Sequence, residues 1–232
     1  MSPRPPTRSD LEAAYGRLVP DLMAPELKVL FCGINPSLYS AATRHHFARP
    51  GNRFWPALYG AGFTRRLLKP WEEELLLEEG IGITNLVSRA TATAAELTND
   101  ELRSGRRRLA RKLRRFRPRC VAIVGIGAYR VAFDRPRAAT GLQPEPLEAA
   151  AVWVLPNPSG LNANHQLPEL VQAYKAVRIF VNGSARLHRR GNSPVSAQRA
   201  DDDREPAEDA ERHRQPGSDP KDLHHGRNHS RQ

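Results

Sequence analysis

Four short apolar runs, each ended by a polar turn, constrain this chain most. They are Lys28–Gly33 (KVLFCG), Gly82–Leu86 (GITNL), Cys120–Gly125 (CVAIVG) and Val152–Leu155 (VWVL). Such runs, with little polar alternation, read as strands buried on both faces. Helical patterns separate them. Trp71–Glu79 is one. Glu101–Phe116 is a second, with Leu102, Leu109, Leu113 and Phe116 sharing a face. Leu167–Phe180 is a third, with Leu170, Val171, Tyr174 and Val177 as its apolar stripe. Strands that alternate with helices require crossovers. The expected fold is therefore α/β: a three-layer sandwich with a central, mainly parallel four-stranded sheet flanked by helices.

Composition divides the chain. After Val181 the only large aliphatic residues are Leu187, Val195 and Leu223, and no aromatic occurs. That segment cannot bury enough apolar surface to offset its ordering entropy. The reading is a flexible N-terminal tail over 1–10, a folded domain over 11–181 and a disordered charged tail over 182–232. Ten of the 36 Lys and Arg and nine of the 25 Asp and Glu lie in the C-terminal tail, so the net charge of +11 belongs almost wholly to the domain. Charge of that sign favours an anionic partner. Two cysteines, Cys32 and Cys120, exclude a disulfide framework and a four-cysteine metal site. No run approaches the roughly 18 apolar residues of a membrane span. The polar, Pro-rich start lacks an apolar signal core. A cytoplasmic address, nucleoid-associated in a bacterium, is expected.

In a parallel sheet, ligands bind beyond the carboxyl ends of the strands. There this chain carries Ile34-Asn35-Pro36-Ser37, Val87-Ser88-Arg89, Ile126-Gly127-Ala128-Tyr129 and Pro156-Asn157-Pro158-Ser159-Gly160-Leu161. The two Asn-Pro-Ser turns look like paired lips of one cleft. A proline-fixed Asn35 can hold a water through its amide oxygen, or can simply end a strand as an Asx-turn. The segment His45–Trp55 mixes aromatic, His and Arg residues, as recognition of a single base requires. Phe54 and Trp55 read as the start of a helix packed in the core; Phe47 does not. The His45-His46 pair has no third metal ligand in view and reads as surface loop. Between Arg103 and Arg119, ten of seventeen residues are Lys or Arg. That run is either a solvated helix face or a steering surface for phosphates. Ser159 and Gly160 let a backbone approach a phosphate, and Leu161 can act as a wedge between bases or pack beneath the next helix. Gly125-Ile126-Gly127 lacks the third glycine and the downstream acid of a dinucleotide site.

With these pieces in order, the chain resembles the mismatch-specific uracil/thymine DNA glycosylase family of the uracil-DNA glycosylase superfamily. The marks are GINPS at Gly33–Ser37, HHFARPGNRFW at His45–Trp55, GITNLVSRAT at Gly82–Thr91 and NPSGL at Asn157–Leu161. The resemblance spans about Lys28 to Val177. It implies hydrolysis of the N-glycosidic bond of uracil in G·U mispairs, by base flipping and water attack, and leaves thymine in G·T mispairs and exocyclic cytosine adducts open as further substrates. An abasic site remains, and base excision repair begins. It implies Asn35 as the residue that orients the water, with Thr84 helping to hold it. Ile34, Ser40 and Phe47 would form the base pocket, with Phe47 stacking on the base. Asn157, Ser159, Gly160 and Leu161 would grip the DNA. No metal or cofactor is implied, and the expected partner is double-stranded DNA with a mismatched or damaged pyrimidine, met by a monomer. Ser37, where the family most often has Gly, and Ser88, where several members have an acid, depart from the pattern. Two rivals remain: a catalytically inactive DNA-binding module, and an enzyme for a small anionic substrate.

Overall fold

A computed structural model describes residues 4–160 and 165–191, with side chains described through 183. The chain enters through helix α1 (Arg8–Glu12), closed by a capping box in which the Asp10 carboxylate accepts from the Thr7 backbone N–H. The expected N-terminal tail thus carries helix from Arg8 onward. Strand β1 (Val29–Gly33) is followed by α2 (Leu38–Thr43), α3 (Phe54–Gly60), a 3-10 turn at Pro70–Glu72 and α4 (Leu75–Glu78). Next come β2 (Ile81–Asn85), α5 (Asn99–Phe116), β3 (Cys120–Val124), α6 (Ile126–Ala132), β4 (Gly141–Leu142), β5 (Ala151–Leu155) and α7 (Leu167–Gly191).

The sheet order is β2-β1-β3-β5-β4. Four strands run parallel, as the apolar runs predict, and the two-residue β4 adds an antiparallel edge. Alternation along β1 sends Val29 and Phe31 to one face and Leu30 and Cys32 to the other. Helices α3 and α7 cover the first face through Phe54, Leu58, Leu170, Tyr174 and Val177. Helices α5 and α6 cover the second through Leu102, Leu109, Leu113 and Tyr129. The result is the three-layer sandwich. The pattern over Trp71–Glu79 resolves into the 3-10 turn and the four-residue α4 rather than one helix.

Helix α5 also begins with a capping box, in which Glu101 accepts from the Thr98 N–H, and ends on Arg117 in the left-handed region. It therefore runs from the carboxyl end of the sheet back to its amino end, where the Arg119 N–H donates to the Leu27 carbonyl. Helix α7 continues ten residues beyond Val181, to Gly191. The rest of the expected C-terminal tail, 192–232, lies outside the described residues. None of the described helices is long and apolar enough to cross a membrane.

Candidate active site

The carboxyl ends of β1 and β2, the loop after β2 and the segment after β5 surround one cleft. Ile34, Asn35, Ser37, Ser40, His46, Phe47, Asn85, Thr91, Asn157 and Ser159 line it, with Arg49 at its rim. The two Asn-Pro-Ser turns do meet. Among the described residues no Asp, Glu, Lys or Cys belongs to the lining. No group of three or more His, Cys, Asp or Glu among the described residues could hold a metal ion.

Asn35 is the most constrained polar group there. Its Nδ2 donates to Thr91 Oγ1 at 2.7 Å, and to the carbonyls of Arg89 and Pro36, both at 3.2 Å. Carbonyl oxygens only accept, so the orientation of the amide is chemically fixed. Thr91 spends its own proton on the Thr93 carbonyl at 2.7 Å, so toward Asn35 it too must accept. Every hydrogen bond of Asn35 thus passes through Nδ2, and Oδ1 is left for a molecule in the cleft. The Arg89 carbonyl is itself anchored, because the Arg89 guanidinium grips Glu101 at 2.6 and 3.0 Å. That bond holds the Glu101 carboxyl well below the usual range, at about 2.

Phe47 sits at φ 51°, a left-handed conformation that a bulky residue adopts only at a cost of about 1–3 kcal/mol. Its ring lies over Phe54, with centroids 4.0 Å apart and planes 15° from parallel. Phe54 is wedged edge-on against Phe31 and Trp55 in the core. One face of Phe47 is therefore backed by the core, while the residue itself lines the cleft. Ser40 Oγ accepts from the Ala48 N–H at 3.1 Å, tying the turn after Phe47 to α2. Ser37 caps α2 by accepting from the Ser40 N–H at 3.1 Å, a use that a glycine could not supply.

Thr84 does not reach this cleft. It is fully buried, donates to Asp21 Oδ1 at 2.7 Å and accepts from Lys112 Nζ at 2.8 Å. Successive residues of a strand point to opposite faces, so its neighbour Asn85 takes the cleft side. Asn85 pairs with Gly33 in the β1–β2 register. A Cβ at Gly33 would collide with Asn85 Oδ1, which explains the glycine before Ile34.

His46 is 2 % exposed, not on a surface loop as the sequence suggests. Its Nε2 lies 2.9 Å from the Pro20 carbonyl, and Asn85 Nδ2 lies 3.5 Å from its Nδ1, a long and weak contact. A carbonyl partner requires Nε2–H, so Nδ1 is the acceptor. Burial lowers the His46 pKa, keeping the ring neutral against the opposing influence of Glu73. The unfolded chain, with its ordinary value of 6.5, takes up a proton first. Stability from this site is thus present above about pH 6.5 and is lost as pH falls below it. Melting temperatures between neutral and acid pH should fall more steeply for wild type than for His46→Gln. Equal slopes would shift the acid sensitivity to other groups.

At the opposite lip, Arg53 donates from its backbone to the Pro158 carbonyl at 2.9 Å and from Nη2 to the Ser159 carbonyl at 2.6 Å. Asn157 Oδ1 accepts from the Ser159 N–H at 3.0 Å, forming an Asx-turn. A Cβ at Gly160 would lie 2.6 Å from the Gly51 carbonyl, so the two loops pass at a separation only glycine permits. Leu161 lies outside the described residues. The cysteines are buried away from the cleft, and burial pushes both thiols up to about 12. Sequence reasoning missed Thr91, Asn85 and the clamping role of Arg53, although all three fall inside the motifs it singled out.

The sequence model of the uracil DNA glycosylase superfamily matches residues 20–178, which include all of these groups. The chain belongs to that superfamily. A protein from Methanosarcina acetivorans, described as a candidate uracil DNA glycosylase and solved by solution NMR, is similar at 17 % identity. The match covers 70 % of this chain and 98 % of that one, with a TM-score of 0.47.

Proposed function

We propose that this protein is a monofunctional, mismatch-specific DNA glycosylase that hydrolyses the N-glycosidic bond of uracil, and more slowly of thymine, in G·U and G·T pairs. The observation that carries this reading is the Asn35 amide, held through Nδ2 by three acceptors with Oδ1 left to the cleft. A water accepted there is oriented for attack on the sugar carbon of an everted nucleotide. Among the described residues no carboxylate lines the cleft, and His46 Nδ1 is turned toward Asn85, which supports orientation of the water rather than strong-base catalysis.

The cleft face of Phe47 serves as the stacking platform for the base. The Phe47 backbone N–H makes no hydrogen bond to another described residue. It can donate to a pyrimidine carbonyl as negative charge gathers on the departing base, as an oxyanion hole does. The Asn85 amide is the reader of the remaining polar edge, with Ile34 and Ser40 as pocket walls. Asn157, Ser159 and Gly160, fixed by Arg53, grip the strand beside the vacated position, with Leu161 as the wedge. Thr91 takes the supporting role that the family resemblance suggested for Thr84. Among the described residues no lysine lines the cleft, which supports water rather than an amine as the nucleophile and an abasic site as the product.

Extruding a base costs a few kcal/mol, least at a mispair. This favours G·U and G·T over paired A·U. The test is alkaline strand cleavage after incubation with G·U, A·U, G·T and single-stranded uracil oligonucleotides. Release should be faster from G·U than from A·U. No release from any uracil substrate would leave an inactive binding module. Turnover of free nucleosides at a similar rate would point to a small-substrate enzyme.

A further inference from the structure

The arginines of this protein are not spent evenly. Arg4, Arg8, Arg66, Arg89, Arg103, Arg117 and Arg135 each meet a carboxylate within 3.1 Å. On α5, Arg107, Arg111 and Arg115 are exposed, and none of them meets a carboxylate among the described residues. Arg107 donates to Ser104 Oγ at 2.7 Å, and Arg115 lies over the Phe116 ring at 5.1 Å. Arg111 has no such contact among the described residues. The nearby acids are committed or set back: Glu148 sits 3.6 Å from Arg114, and Asp134 lies across the groove beside Arg107.

Their spacing makes this a surface rather than a scatter. Residues four apart fall on one helical stripe, about 6 Å per step along the axis. The buried Leu102, Gly105, Leu109 and Leu113 face the sheet, so this stripe faces outward. Like charges four apart destabilise a helix. The fold thus tolerates three mutually repelling guanidinium groups without supplying the acids it supplies elsewhere. Arg119, also exposed and without an acidic partner among the described residues, lies between the end of α5 and the start of β3.

The stripe does not belong to the cleft. Helix α5 reaches the carboxyl end of the sheet through Glu101, which holds Arg89, and through Gly105 and Arg108 against the Leu86 carbonyl, while its other end meets the start of β1. The five residues of β1 separate those two ends by about 17 Å. We propose that the Arg107–Arg111–Arg115 stripe binds the phosphate backbone of a second segment of duplex DNA, distinct from the segment held at the cleft. This rests on the glycosylase reading. It gives the enzyme a hold on neighbouring DNA while a base is everted, and a means of transfer between segments.

The test compares wild type with R107Q/R111Q/R115Q, none of which lines the cleft. Single-turnover excision from a short G·U duplex at saturating enzyme should be unchanged. Binding to a longer uracil-free duplex should weaken at least about tenfold near 0.1 M salt, and its salt slope should fall by about 2.7, at roughly 0.9 per lost phosphate contact. Wild type saturated with an abasic-site duplex should still retain a second labelled duplex, and the variant should not. An unchanged salt slope, or failure of the saturated wild type to hold a second duplex, overturns the proposal. So does a loss confined to duplex RNA, which would assign the face to another polyanion. If wild type releases no base at all, the salt slope still decides the stripe, and only the glycosylase reading falls.

Discussion

Asn35→Ala should release uracil from a G·U duplex at least about a thousandfold more slowly than wild type, while duplex affinity stays within a few-fold. The side chain makes no contact that carries the fold: its partners are two carbonyls and the Thr91 hydroxyl, all in loops at the strand ends. Alanine removes the oxygen that holds the nucleophile and leaves the Phe47 platform in place. The loss therefore falls on the chemical step, visible in single-turnover rates at saturating enzyme. Asn35→Asp sharpens the test. A carboxylate offers no donor to the Arg89 carbonyl, so the group must either swing away or take up a proton. Its activity should be low at neutral pH and should not match wild type. Excision by Asn35→Ala at a near wild-type rate would remove the mechanism proposed here.

The long strands were legible because an unbroken apolar run of that length has one stable destination, a strand covered on both faces. Their polar ends located the cleft for the same reason: the strands are parallel, so every informative turn lies at one end of the sheet. Strand β4 was not legible, since two residues, Gly141 and Leu142, carry no period. Helix α6 begins on Gly125-Ile126-Gly127, a stretch that local propensity assigns to a turn, and only packing of Tyr129 and Ala132 on the sheet makes it helical. In the site, Asn35 and Phe47 stood out through their own neighbours in sequence. Thr91 did not, because its meaning lies in a contact with a residue 56 positions away. Asn85 was within reach. The pleat makes Thr84 and Asn85 alternatives, and a single register, Gly33 opposite Asn85, chooses between them. His46 misled for a related reason: a histidine beside another histidine looks solvated until Pro20 and Glu73 are folded against it.

The two threonines of the GITNLVSRAT segment should separate cleanly under near-isosteric substitution. Thr91→Val removes the shortest of the three acceptors on Asn35 Nδ2, leaving two carbonyls at 3.2 Å. The amide then gains freedom to rotate, and the Thr93 carbonyl loses its donor. Loss of one such bond, about 1–3 kcal/mol, predicts a fall in kcat of about ten- to a hundredfold with KM little changed. Thr84→Val acts elsewhere. It strips the hydroxyl that stands between Asp21 and Lys112, whose own ion pair at 2.6 Å survives. Both partners remain about a third exposed, so solvent replaces part of what is lost. The expected cost is about 1–2 kcal/mol, a drop of a few degrees in Tm for a domain of this size, with kcat unchanged. The comparison needs one G·U duplex, one saturating enzyme concentration and one thermal melt per variant. A large loss of kcat in Thr84→Val with none in Thr91→Val would reverse the assignment and return the water-holding role to the β2 threonine.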